Sequence, residues 1–142
     1  MQYDLSRYIT AQEISYPRAL SEIRAGRKRT HWMWYIFPQI RGLGVSATSQ
    51  KYAIGSLEEA KAFLAQPYLR GNLLEISNAL LALETSDPGA VFPWPDNLKL
   101  KSSMTLFALA GEGEARAVFL AVLEKFYGGE QDAKTLEIVN LL

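Results

Sequence analysis

Apolar residues recur every three or four positions along most of this chain, the period of a helix with one buried face. Leu5, Tyr8 and Ile9 form a short stripe behind Asp4, a residue suited to cap a helix start. Tyr16, Leu20 and Ile23 form a second stripe. It reads as a separate helix capped by Ser15, with Pro17 in the first turn, where a missing N–H costs nothing. Gly26 ends it, and Arg24, Arg27 and Lys28 suit the negative end of its dipole. Ser56 and Glu59 have capping-box spacing, with Leu57, Ala60 and Leu64 following on one face. Pro67 ends that helix or opens the next. Leu69, Leu73, Ile76, Leu80 and Leu83 mark the clearest amphipathic helix. Asp87-Pro88-Gly89 and Pro93-Trp94-Pro95 then break the pattern.

Two further helices are expected near the C-terminus. Ala115, Val118, Phe119, Val122, Leu123 and Phe126 form one stripe, closed by Gly128-Gly129. Asp132 caps the other, which is expected to dock by burying Leu136, Val139 and Leu142. The segment 98–108 fits two periods. Leu98, Leu100, Met104 and Leu106 alternate as a strand would, whereas Leu100, Met104 and Phe107 fit a helix. Helix is the better reading, because a lone strand has no partner. The expectation is an all-α fold, one compact multi-helix domain with short loops spanning 1–142.

Composition narrows the function classes. The 142 residues are 49% hydrophobic and 21% charged, an ordinary balance for a protein with a core. A chain of this length buries enough surface to fold without disulfides or metals. It has no cysteine and one histidine, and its Asp and Glu are not clustered at ligand spacing. Metal binding is not expected, and no cofactor is implied. Lys plus Arg equals Asp plus Glu, 15 each, so nucleic acid is an unlikely partner. The opening MQYDLSRYITAQEI lacks the basic and apolar regions of a signal peptide. No apolar run approaches the roughly 20 residues of a membrane span. A soluble, cytoplasmic protein without membrane association is expected. The sequence sets no oligomeric state.

Candidate chemistry concentrates in Lys28–Ile54. His31 is the one side chain whose ordinary pKa lies near neutrality. Neighbouring Arg27, Lys28 and Arg29, together with burial, would favour neutral imidazole, able to act as a general base. The alternative is a packed histidine bonded to backbone. A Ser–His–Asp relay can be drawn with Ser46, Ser49, Ser102 or Ser103 and Asp96 or Asp132, but that freedom of choice argues against it, and no Gly-x-Ser-x-Gly elbow is present. Trp32, Trp34, Tyr35 and Phe37 are either core anchors or a stacking platform. Residues 32 and 34 cannot share one helical face, so at least one ring is expected to line a groove. Gly42-Leu43-Gly44-Val45-Ser46 is half of a nucleotide-binding loop or an ordinary turn with a serine cap. Arg41 and Lys51 flank it. In 96–105, Lys99, Ser102 and Ser103 could hold a phosphate, or Asp96 could simply cap a solvated helix start.

The string His31-Trp32-Met33-Trp34-Tyr35-Ile36-Phe37-Pro38-Gln39, preceded by Lys28 and followed by Gly42-Leu43-Gly44, Ser46 and Tyr52-Ala53-Ile54, resembles the hallmark of the DUF1810 family. Asp96, Leu98, Lys99 and Ser102–Phe107 resemble its second motif. Phe119, Leu123, Gly129, Asp132, Thr135 and Leu136 resemble its C-terminal pattern. The resemblance implies a mainly α-helical fold, no established activity and no catalytic residues to carry over. Some members bear a calpastatin label, but calpastatins act as disordered segments and this composition forms a core.

The expected function is binding of an anionic or nucleotide-like small ligand by Lys28, His31, Trp32, Trp34, Gln39, Arg41, Gly42, Gly44, Ser46, Lys99, Ser102 and Ser103. In that pocket Trp32 or Trp34 stacks, while Lys28, Arg41 or Lys99 neutralises charge. Two alternatives stand beside it: an enzyme acting on a nucleotide-like substrate through His31, and a helical interaction module without catalysis.

Overall fold

The first two expected helices are one. In the computed structural model, which describes residues 3–141, α1 runs unbroken from Ser6 to Arg24 with Pro17 inside it. The stripe Tyr8, Gln12, Tyr16, Ala19 and Ile23 is buried along its whole length. That continuous burial outweighs the one backbone hydrogen bond Pro17 cannot donate. Asp4 is not the cap residue, although its carboxylate accepts from the Ser6 N–H at 2.9 Å. Gly26 follows the helix with φ +88°, a backbone region that favours glycine.

Among the described residues the chain forms nine helices and no strand. After α1 come the short α2 (Met33–Ile36) and α3 (Ala47–Tyr52), then α4 (Leu57–Ala65) and α5 (Pro67–Leu81). Next are α6 (Pro88–Val91), α7 (Asp96–Ala110), α8 (Gly113–Tyr127) and α9 (Ala133–Leu141). Ser15 lies inside α1 and caps nothing, whereas the signals at Ser56, Pro67 and Asp132 act as expected, with one shift. Ser56 Oγ accepts from the Glu59 N–H at 3.1 Å, while the Glu59 carboxylate reaches one residue further back, to the Gly55 N–H at 2.7 Å. Pro67 opens α5, whose Gln66 side chain accepts from the Leu69 N–H. Asp132 Oδ2 accepts from the Thr135 N–H at 2.9 Å.

Residues 98–108 lie in α7, the centre of the molecule. It packs against α8, α4, α9 and α6 and is buried on nearly every side from Leu100 to Ala108. α5 packs on α1, α8 and α4, α1 packs on α2, and α2 on α3. The core is rich in aromatics, with Trp32, Phe37, Phe63, Phe92, Phe107 and Phe119 fully enclosed. The last helix docks less deeply than its pattern suggests. Thr135 is its one buried residue, Leu136 and Val139 are half-buried, and Leu142 lies outside the described residues. Ile138 and Val139 still pack against the core, and a polar tie adds to them: Thr105 Oγ1 accepts from the Asp132 N–H at 2.8 Å.

Candidate functional site

The site is built by the way the loop after α1 is tied down. Glu22, in the last turns of α1, accepts four hydrogen bonds from the loop. They come from the N–H groups of Arg29 (2.7 Å) and Thr30 (3.0 Å), the Thr30 hydroxyl (2.6 Å) and the Trp32 indole (2.9 Å). Burial pushes the Glu22 carboxyl up, but these hydrogen bonds outweigh it and bring its pKa down to about 2. On the other side of the loop, Arg27 donates to the carbonyls of Gly89 and Ala90, and the Lys28 N–H to that of Val91. The loop is therefore a fixed strap between α1 and α6.

That strap decides which tryptophan faces outward. Trp32 is 1% exposed, with its ring 6.3 Å from Phe37 and 6.4 Å from Phe92. It is a core residue whose one polar atom is satisfied by Glu22. In the single turn of α2 that follows, Met33, Tyr35 and Ile36 are buried, which leaves Trp34 as its outward position. The Trp34 ring lies 6.5 Å from the imidazole of His31, tilted by 33°. On the α7 side the Lys99 ammonium lies 5.7 Å from the same ring. His31 is exposed, so the burial expected for it is not met.

Asp96 joins these groups. It does not cap α7, whose start has no side-chain cap. Its carboxylate instead pairs with Lys28 at 2.9 Å and Lys99 at 3.6 Å. Lys28 is 5% exposed and also lies 5.1 Å from the Trp32 ring. A cation this deep requires a partner, and a carboxylate at hydrogen-bond distance is the least costly one. Two lysines therefore share one carboxylate, and the cluster carries one positive charge in excess.

A second group meets Trp34 from below. Ile54 donates to Gln39 and Arg41 to Ile54, both at 2.8 Å, an isolated parallel bridge between Ile40 and Ile54. It brings the Gly42–Ser49 turn under the indole. Trp34, Gln39, Ile40, Gly44, Ser49, Tyr52 and Ala53 enclose about 20 Å³. That is room for about one water. Gly44 has no space for a side chain, since a Cβ there would stand 2.5 Å from that of Ser49.

The remaining candidates lie elsewhere or are already engaged. The Arg41 guanidinium sits beside Gly55. Gly42 (φ +108°) faces Ile138 of α9. Ser46 is exposed, and its hydroxyl accepts from the Ser49 N–H, so this turn behaves as a serine-capped turn. Ser102 donates to the Leu98 carbonyl. Ser103 is fully buried and its hydroxyl has no partner; it lies one turn after Lys99 on the same face of α7. Asp132 is committed to Thr135, so neither aspartate of the drawn relay is free to orient His31. The residues that sequence reasoning missed are Asp96 as an ion-pair hub and Glu22 as the anchor. Asp96 was findable from its i,i+3 spacing to Lys99. Glu22 carried no local signal, because its partners come from the loop that folds back on it. Among the described residues, no three His, Cys, Asp or Glu side chains are grouped as metal ligands. No helix there is long and apolar enough to cross a membrane.

The comparisons place this geometry in a family. A profile described as "Protein of unknown function (DUF1810)" matches residues 2–139. The chain belongs to the DUF1810 family. A solved structure of the same shape is that of the conserved hypothetical protein Rv1873 from Mycobacterium tuberculosis. It is 44% identical, with 99% of each chain covered and a TM-score of 0.94. No curated protein matches. DUF1810 membership thus accounts for the fold and the shared motifs, and leaves the role of the Trp34 surface to its chemistry.

Proposed function

We propose that this DUF1810 protein binds a flat, anionic, nucleotide-like small molecule on the surface around Trp34. One observation carries the reading: the half-buried Trp34 ring is flanked by the exposed His31 imidazole and the Lys99 ammonium. An indole offers a stacking face to any planar base. A lysine beside it supplies charge where the ligand's anionic group would lie. The excess positive charge over Asp96 favours an anion over a cation. Only a water-sized space is enclosed beneath the indole, so the ligand lies against the surface rather than inside a deep cleft. Arg41, Gly42, Ser46 and Ser102 are not part of this proposal.

The test is a melting-temperature screen with AMP, adenosine and inorganic phosphate. A ligand that binds only the native state must stabilise it, by about 2.7 kcal/mol at a hundredfold excess over Kd. AMP is expected to raise Tm, with adenosine and phosphate each weaker. Trp34→Ala should abolish the shift, and Lys99→Met should weaken AMP several-fold while leaving adenosine unchanged. An AMP shift that survives Trp34→Ala, or no shift with any of the three, would overturn the proposal.

A further inference from the structure

A separate groove runs between α1 and α3, and Tyr52 lines both it and the Trp34 cavity. It holds about 420 Å³, within the roughly 300–1,000 Å³ of small-ligand sites. Its polar groups are of two kinds, committed and uncommitted. Arg7 is committed. Its guanidinium donates to the carbonyls of Asp4 and Lys51 at 2.9 Å and Ala53 at 3.3 Å, to the Tyr8 hydroxyl at 2.9 Å, and to Glu59 at 3.4 Å. These bonds fasten the end of α3 to α1. The nearby acids are committed too. Glu59 holds Arg7 and the Gly55 N–H, and Asp4 holds the Ser6 N–H.

Lys51 is uncommitted. Arg7 fixes its carbonyl, yet its ammonium makes no ion pair among the described residues and lies 5.2 Å from the Tyr52 ring centroid. At the other end, the Tyr35 and Ser15 hydroxyls bond to each other at 2.8 Å. One shared bond uses one of their two hydrogens, so one donor remains for a ligand. Arg7 and Ser15 are eight residues apart on α1, about 12 Å at the helical rise. Between them the groove offers Ala11, the Tyr52 ring and Ile14, which is 79% exposed.

We infer that this groove is a second binding site, for a small monoanion: a carboxylate carried on a short aromatic or aliphatic body. One uncommitted ammonium balances one negative charge, whereas a phosphate dianion would leave a charge unmatched. The body lies over Tyr52 and Ile14, covering apolar surface now in water. A hydroxyl substituent at the far end meets the Ser15–Tyr35 pair, which limits the ligand to the span of the groove.

Titration of amide ¹H–¹⁵N spectra with 3-(4-hydroxyphenyl)propionate tests this, with its primary amide and phenyl phosphate as comparators. Saturable shifts are expected at Thr10, Ala11, Ser15, Tyr35, Lys51 and Tyr52. The primary amide should bind about fivefold more weakly, the scale of one exposed ion pair. Lys51→Met should erase the preference for acid over amide, and Ile14→Asp should weaken both. Both positions are exposed, so unchanged shifts elsewhere will show that the variants fold. Trp34→Ala should leave the titration as it is, which keeps this site independent of the Trp34 surface. Scattered or non-saturating shifts, or an acid preference that persists in Lys51→Met, would overturn the site. Phenyl phosphate binding as tightly at the same residues would overturn the monoanion assignment.

Discussion

Glu22 shows what one side chain can organise. It is a single carboxylate serving four uncharged donors, and it sets the path of the whole His31 segment. Its pKa falls from the ordinary 4.5 to about 2 on folding. A lowered carboxylate pKa stabilises the native state above the unfolded pKa, and that contribution disappears as pH falls through the folded one. Stability should therefore decline between pH 4.5 and 2, and Glu22→Gln should flatten that part of the curve. At neutral pH the same variant should cost about 1–3 kcal/mol, since an amide oxygen cannot serve four donors. Urea unfolding of both proteins at a series of pH values reads both effects. Lys28 is the complementary case. Its removal alone leaves Asp96 without its closest partner, so Lys28→Ala should cost about 3 kcal/mol. The double variant Lys28→Met, Asp96→Leu should recover most of that loss in the same measurement, because no unpaired charge is left at the buried Lys28 position and the half-buried Lys99 can turn its ammonium to water.

At the level of elements, legibility tracked how many faces a helix buries. α5 and α8 each bury one face, and the three-four spacing of Leu69, Leu73, Ile76 and Leu80, or of Phe119, Val122 and Phe126, follows directly. α7 is buried nearly all round, so Ser102, Ser103 and Thr105 are enclosed along with Leu100 and Phe107. A helix with no wet face has no periodic contrast, which is why 98–108 fits two periods at once. In α1 a local signal competes with burial. Pro17 resembles a helix-start signal, whereas the buried stripe continues past it. Pro17 is exposed, and an alanine there could donate to the carbonyl one turn back without disturbing the packing. Pro17→Ala should thus raise stability by about 1 kcal/mol, the regained hydrogen bond outweighing the looser unfolded chain. A lower Tm in that variant would show that the proline is needed as it stands.

Across the molecule, protection should fall from the centre outward. α7 touches α8, α4, α9 and α6, whereas α3 buries none of its residues and α9 buries only Thr135. Native-state hydrogen exchange is expected to be slowest in α7 and the facing side of α8, at rates set by global unfolding. α3 and α9 should exchange by local opening, several orders of magnitude faster. Equal protection throughout would mean that the polar ties at Thr105, Asp132 and Thr135 bind α9 as firmly as a buried face does. The proposed Trp34 surface sits between these regimes. Its tryptophan and lysine rest on α2 and α7, while the turn beneath the indole belongs to the less protected part.

The sequence by itself determined the helical class, the family and the helix ends marked by Gly26, Ser56, Pro67, Gly128 and Asp132. Spacing and capping are local, and local rules suffice for them. Only the tertiary structure decided that Trp32 is core and Trp34 is half-buried, that Lys28 is consumed by Asp96, and that the Arg41 guanidinium sits beside Gly55. Each of those outcomes depends on what a distant segment places opposite the side chain. Burial and charge pairing are properties of neighbours in space, and no spacing along the chain encodes them.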